Sequence, residues 1–172
     1  MKISTRSLIT IFRSFLCSGV VTAQVVINEI HYNPNDETSA EEFIELFNTG
    51  ENAIDVSGWM ISDAVEFSIP EGTLIPSNGY LVIGEDPGTL NSVFGITALG
   101  PWEGRLRNIG EEIDLRNALG VLQDQVDYND GFPWPTGARA GGGSMELINP
   151  VLDNNLGGSW RTSGTTINTG PG

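Results

Sequence analysis

His31 is the single histidine of the 172-residue chain, so any Ser-His-Asp arrangement would have to use it. No G-x-S-x-G elbow presents a serine nucleophile, and a lone histidine closing a strand-like run reads as structural. Carboxylates are the more abundant chemistry, clustered at Glu41/Glu42, Glu111/Glu112 and Asp124/Asp127/Asp130. Two carboxyl groups held ~5–10 Å apart can hydrolyse a glycoside. Adjacent residues in a strand point to opposite faces, however, so neither Glu-Glu pair converges by adjacency alone. These acids read as solvated faces and turns, and no catalytic residue is assigned.

The run Asp124-Gln125-Val126-Asp127-Tyr128-Asn129-Asp130-Gly131 is rich in hard oxygen donors but misses the EF-hand spacing. Asp124, Asp127 and Asp130 are therefore calcium candidates on donor chemistry only. Asn33-Pro34-Asn35-Asp36-Glu37 and Asp153-Asn154-Asn155 are equally oxygen-rich. No other cofactor is expected. Gly141-Gly142-Gly143-Ser144 lacks the lysine of a phosphate loop and reads as a flexible connection. Trp102, Phe132, Trp134 and Trp160 sit in Gly/Pro-rich loops. They either offer a carbohydrate or protein contact surface or cover the ends of the fold, and the general burial of Trp favours the second.

The elements that would carry these groups are short and β-like. Val25–Tyr32, Phe43–Phe47, Trp59–Ser62, Glu66–Pro70 and Tyr80–Gly84 are branched or aromatic runs divided by Asn-Pro, Ser-Gly and Pro-Ser-Asn-Gly breaks. In Phe43–Phe47, Ile44 and Leu46 share one face, with Phe43, Glu45 and Phe47 on the other. Two further runs flank Ala118-Leu119-Gly120 and predict a hairpin in which Gly120 takes positive φ. Ser144–Ile148 is a last strand, and Thr89–Phe94 is the one stretch with helical period. With 22 glycines, 9 prolines and no internal repeat, the pattern predicts an all-β, antiparallel sandwich.

Residues 1–23 have the layout of a secretory signal peptide. Lys2 and Arg6 precede an apolar stretch interrupted by Arg13, and Val21-Thr22-Ala23 end in small residues before Gln24. The uninterrupted apolar run falls short of the ~20 residues that span a bilayer. Cleavage after Ala23 would remove Cys17, Lys2, Arg6 and Arg13, leaving five arginines, no lysine, no cysteine and 22 acids, a net charge of −17. Such a balance argues against nucleic-acid binding, and a cysteine-free exported chain must rely on packing. Residues 161–172, rich in Gly, Thr, Ser and Pro, read as a linker or tail, leaving one domain over 24–160.

Six ordered blocks carry a resemblance: Ile27–Pro34, Glu41–Asn48, Ala53–Asp63, Ile69–Ile83, Leu106–Asn117 and Val126–Trp134. Together they resemble the bacterial lamin-tail domain over nearly the whole mature chain. The resemblance implies an immunoglobulin-like sandwich and a non-catalytic role as an accessory module. The segments beginning at Gly100, Trp134 and Leu152 are similar to versions at the start of large secreted proteins, often ahead of a spore-coat-type kinase domain. Two roles follow as expectations. The first is a secreted module that binds or spaces at the cell surface through a protein or surface glycan. The other is the amino-terminal accessory domain of a larger exported enzyme. Trp59 is expected to fill the sandwich centre, with Ile27, Ile30, Ile44, Leu46, Ile61, Leu81, Ile83, Ile113, Leu115 and Val126 as core. Glu29 and Glu45, inside apolar runs, are expected to face solvent or pair with Arg105 or Arg107; a ligand site is the sharper alternative.

Overall fold

A computed structural model describes residues 24–36 and 38–163. The signal-peptide reading of residues 1–23 lies outside them. Two long strands come first, β1 (Val25–His31) and β2 (Phe43–Asn48). Four short ones follow: β3 (Ile54–Asp55), β4 (Met60–Ser62), β5 (Val65–Ser68) and β6 (Leu74–Ile75). β7 (Tyr80–Gly84) leads to helix α1 (Pro87–Phe94), β8 (Ala98–Leu99) and β9 (Glu103–Gly104). The hairpin of β10 (Gly110–Arg116) and β11 (Leu122–Asn129) precedes helix α2 (Thr136–Gly141), β12 (Met145–Leu147) and β13 (Trp160–Thr162).

Two sheets enclose one principal core, as the alternation predicts. A six-stranded sheet has the order β13-β12-β1-β2-β7-β8, and a five-stranded sheet the order β11-β10-β4-β5-β9. Every ladder is antiparallel except β7–β8. The short β3–β6 ladder stands apart. Val25, Ile27, Ile30, Ile44, Leu46 and Ile83 from the first sheet meet Ile61, Ile113, Leu115, Val126 and Tyr128 from the second. Gly120 closes the β10–β11 turn at φ 77°, a conformation open to glycine.

Four expectations need correction. Trp59 does not fill the centre: it is half-buried and packs on the core from the turn before β4, where Gly58 is left-handed. The principal core instead buries Tyr32 against Tyr128, with ring centroids 5.0 Å apart, Trp134 against Trp160 at 6.1 Å, and Trp102. Leu81 is likewise only half-buried, because it faces the core near the open end of β7. The ordered body also runs past Trp160: Arg161 and Thr162 belong to β13, where Arg161 pairs with Glu146 across the ladder. Finally, Gly141 ends α2 and Gly142 caps it in a left-handed conformation, so this part of the glycine run is a helix stop.

The two sheets are joined where β1 outruns β12. Of the β1 residues, only Glu29 and Ile30 have β12 partners. The free edge of Ile27 is covered by side chains from elsewhere. Its amide donates to Asp124 Oδ2 at 2.6 Å, and its carbonyl accepts from Asn154 Nδ2 at 3.4 Å. Asn154 also donates to Asp124 Oδ2 at 2.7 Å. Burial raises the Asp124 pKa, while these donors oppose the shift. Asp124→Ala is expected to lower unfolding free energy by about 2–3 kcal/mol, since it orphans a buried amide. Urea denaturation measures this; a loss no greater than that from replacing an exposed carboxylate, Glu71→Ala, would contradict it.

Candidate functional site

A bulge in β1 builds the most unusual surface of the molecule. Ile27 pairs with Leu46 and Glu29 with Glu45, which leaves Asn28 as an extra residue between them. Ile27 and Ile30 both stay in the core, so Asn28 and Glu29 turn together to the outer face of the six-stranded sheet. The ladder register then aligns Arg161, Glu146, Glu29, Glu45, Val82 and Ala98, one from each strand, in a row across that face.

The row is largely dry. Glu29 and Glu45 are 4% and 3% exposed. Ser144 donates to Glu29, and Asn28 Nδ2 donates to Glu45 Oε1 at 3.0 Å. Arg161 makes a two-pronged pair with Glu146, at 3.1 and 3.0 Å. Desolvation raises the Glu29 pKa to about 7, opposed by the Ser144 hydrogen bond and reinforced by the Glu146 charge. Glu45 is likewise raised to about 7 by desolvation, against the Asn28 hydrogen bond and with Glu29 adding to the rise. The expectation that these two acids face solvent or pair with Arg105 or Arg107 is thus overturned. Arg105 pairs with Glu85 at 3.0 Å and Arg107 with Glu111 at 3.6 Å.

Beside Glu45 lies a groove of about 630 Å³, lined by Tyr80, Leu81, Val82, Phe94, Ile96 and Thr97 as well as Glu45 itself. Its far wall exists because α1 is well terminated. Asp86 caps the start by accepting from the Thr89 amide at 2.6 Å, and Gly95 ends the helix at φ 72° with its amide on the Asn91 carbonyl. Leu90, Phe43, Val82 and Ile96 form a small second core that fixes the helix to the sheet. Tyr80 stacks on Phe47, with ring centroids 4.7 Å apart.

The groups singled out from sequence go elsewhere. His31 is buried, and its Nδ1 and Nε2 lie 2.8 and 3.0 Å from the Glu41 and Gly142 carbonyls. Each ring nitrogen thus faces a backbone carbonyl, and a neutral imidazole donates to one of the two. Glu42 accepts from the Leu106 amide at 2.8 Å; desolvation raises its pKa to about 7. Glu41 is held by Ser39, and Glu111 by Arg107 and Tyr128. The calcium candidates are not brought together: Asp124 faces inward to Ile27, Asp127 is exposed on the opposite face of β11, and Asp130 pairs with Arg139 at 3.2 Å. Trp102, Trp134 and Trp160 are buried, whereas Phe132 is 93% exposed. Among the described residues, Asp63, Glu112 and Asp114 each place a carboxylate oxygen within 4.8 Å of the others. Asp114, the buried member, already takes hydrogen bonds from Arg116 and Gln125. The i, i+2 spacing of Glu112 and Asp114 was the available sequence signal for this trio; Asp63 joins it only through the β4–β5 turn.

Two comparisons bear on this architecture. The family model of the Lamin Tail Domain matches residues 20–130, about two thirds of the chain. No curated protein matches it. Among the described residues, no helix is long and apolar enough to cross a membrane.

The raised carboxylates make stability pH-dependent in a defined sense. Below about pH 4.5, Glu29, Glu42 and Glu45 are protonated folded or unfolded. As pH rises to about 7 the unfolded chain releases these protons while the fold retains them, so stability falls through this window and then levels. A higher unfolding midpoint at pH 5 than at pH 8 is expected, and Glu45→Gln should flatten the slope by up to about 3 kcal/mol. Equal midpoints for the native chain at both pH values would refute this.

Proposed function

The chain belongs to the lamin tail domain family, whose members are non-catalytic immunoglobulin-like domains, and from that premise we propose that it is a secreted module that binds or spaces at the bacterial cell surface. The observation that carries the reading is the groove on the outer face of the six-stranded sheet, a concavity in which apolar and aromatic side chains stand beside a fixed carboxylate, Glu45. The burial of His31, with each ring nitrogen facing a backbone carbonyl, argues in the same direction, because its imidazole is not presented to a substrate. The layout of residues 1–23 supports export. A fold of this kind does not choose its own ligand, so partner and attached domains are matters for experiment.

Two measurements test the proposal. Expression of the full chain in a bacterial host should give an exported product whose amino terminus is Gln24. That product should adsorb saturably to cell-envelope material and leave glycan and phosphoester substrates intact, with or without calcium. Unaided turnover of any of them would overturn the non-catalytic reading, and a product retained inside the cell would overturn the export.

A further inference from the structure

We propose that the groove beside Glu45 receives an arginine-bearing, extended segment of a partner protein, the guanidinium lying between the Glu45 carboxylate and the Tyr80 ring. The inference deepens the binding-module reading and rests on it. Four observations support it. The first is a half-used carboxylate: Glu45 lines the groove, Oε1 is taken by Asn28, and Oε2 has no hydrogen bond or ion pair among the described residues. A nearly dry carboxylate oxygen without a donor is costly unless a donor arrives.

The second is a shortage of internal cations. All five arginines of the described residues are already in ion pairs: Arg105 with Glu85, Arg107 with Glu111, Arg116 with Asp114, Arg139 with Asp130 and Arg161 with Glu146. No lysine lies beyond residue 2. Among the described residues no cation is left to answer Glu45 once it ionises. The third is the stacked Phe47–Tyr80 pair, because Tyr80 offers the aromatic face on which a guanidinium packs better than an ammonium.

The fourth observation selects a peptide. β8 pairs only with Val82 and Ile83 of β7, so Tyr80 and Leu81 have no ladder partner on that side, where Ile96 and Thr97 stand off as the other wall of the groove. An extended segment can continue the sheet there, with the sheet edge supplying backbone hydrogen bonds and the groove taking an alternate side chain. The charged and titratable groups facing Glu45 are Glu29 on β1, Glu146 on β12 with its partner Arg161 on β13, and Tyr80 on β7. The groove-lining residues Phe94 to Thr97 carry none. The field at the groove is negative, in keeping with the chain's overall charge of −14.

The test titrates the full chain with blocked hexapeptides of arginine, lysine and glutamate at low salt and pH 8, above the Glu45 value, following backbone amides by NMR. The arginine peptide should shift Val82, Ile96 and Thr97, bind more tightly than the lysine peptide, and weaken with added salt; the glutamate peptide should not bind. Glu45→Gln should lower affinity by roughly tenfold or more, while Glu71→Gln, which removes an exposed charge from the β5–β6 loop, should not. Thr97→Arg, which supplies an internal guanidinium at the groove rim without touching Glu45, should also abolish binding. Absence of binding, shifts confined to other surfaces, or equal losses in Glu45→Gln and Glu71→Gln would overturn the proposal. Any of those results with intact envelope adsorption would leave the binding-module reading standing, whereas substrate turnover would strike that reading and not this groove.

Discussion

One extra residue in β1 organises both faces of this domain. Strand alternation would send either Ile27 or Ile30 outward, since they are three positions apart; inserting Asn28 into the ladder keeps both in the core. A bulge disturbs the pairing of neighbouring backbone groups, and here the outer edge of Ile27 is satisfied by Asp124 and Asn154. Those two residues come from β11 and from the loop before β13. The irregularity in one strand is thus the place where the second sheet and the late chain are hydrogen-bonded to the first. Packing alone would hold the sheets together; this contact fixes their register.

The same bulge sets an electrostatic cost. Turning Asn28 and Glu29 outward side by side lines up Glu29 with Glu45 and Glu146 on neighbouring strands, and like charges directly opposite destabilise a sheet. The fold limits the repulsion locally, with Ser144 on Glu29, Asn28 on Glu45 and Arg161 on Glu146. It also limits it by burial, which favours the protonated form of the two inner acids. An apolar row at these positions would stabilise the sheet without such devices. Retaining acids there is the kind of local conflict that marks a surface shaped for something other than stability.

Much of the architecture could be read from residue order, because it rests on short-range patterning. The alternation in Phe43–Phe47 sorted Ile44 and Leu46 from Glu45 correctly, and the breaks around Gly58, Gly79 and Gly120 bounded the strands. What escaped was everything that depends on long-range juxtaposition. Nothing local says that Asp124 meets Ile27, 97 positions away, so Asp124 could be weighed only as an oxygen donor beside Asp127 and Asp130. Glu29 and Glu45 were expected at the surface because carboxylates seldom lie buried, and the bulge that buries them leaves no signature in residue type. Trp59 was assigned the centre as the large aromatic that such sandwiches bury, although the turn at Gly58 holds it at the margin.

The outer faces of the two sheets handle their acids differently, and the contrast bears on the proposed binding surface. On the five-stranded sheet, buried Asp114 is answered from its own neighbourhood, by Arg116 two residues along the same strand and by Gln125 on the adjacent one. That face is internally neutralised at its deepest point. On the six-stranded sheet the one cation, Arg161, sits at the edge strand and is committed to Glu146, so compensation fades from β12 toward β2. The gradient ends at Glu45, where the covering helix α1 stops at Gly95 and the sheet edge beyond β8 opens. Charge, concavity and an unpaired strand edge meet at that one point, because the edge strand that could supply a second cation is on the opposite side of the sheet.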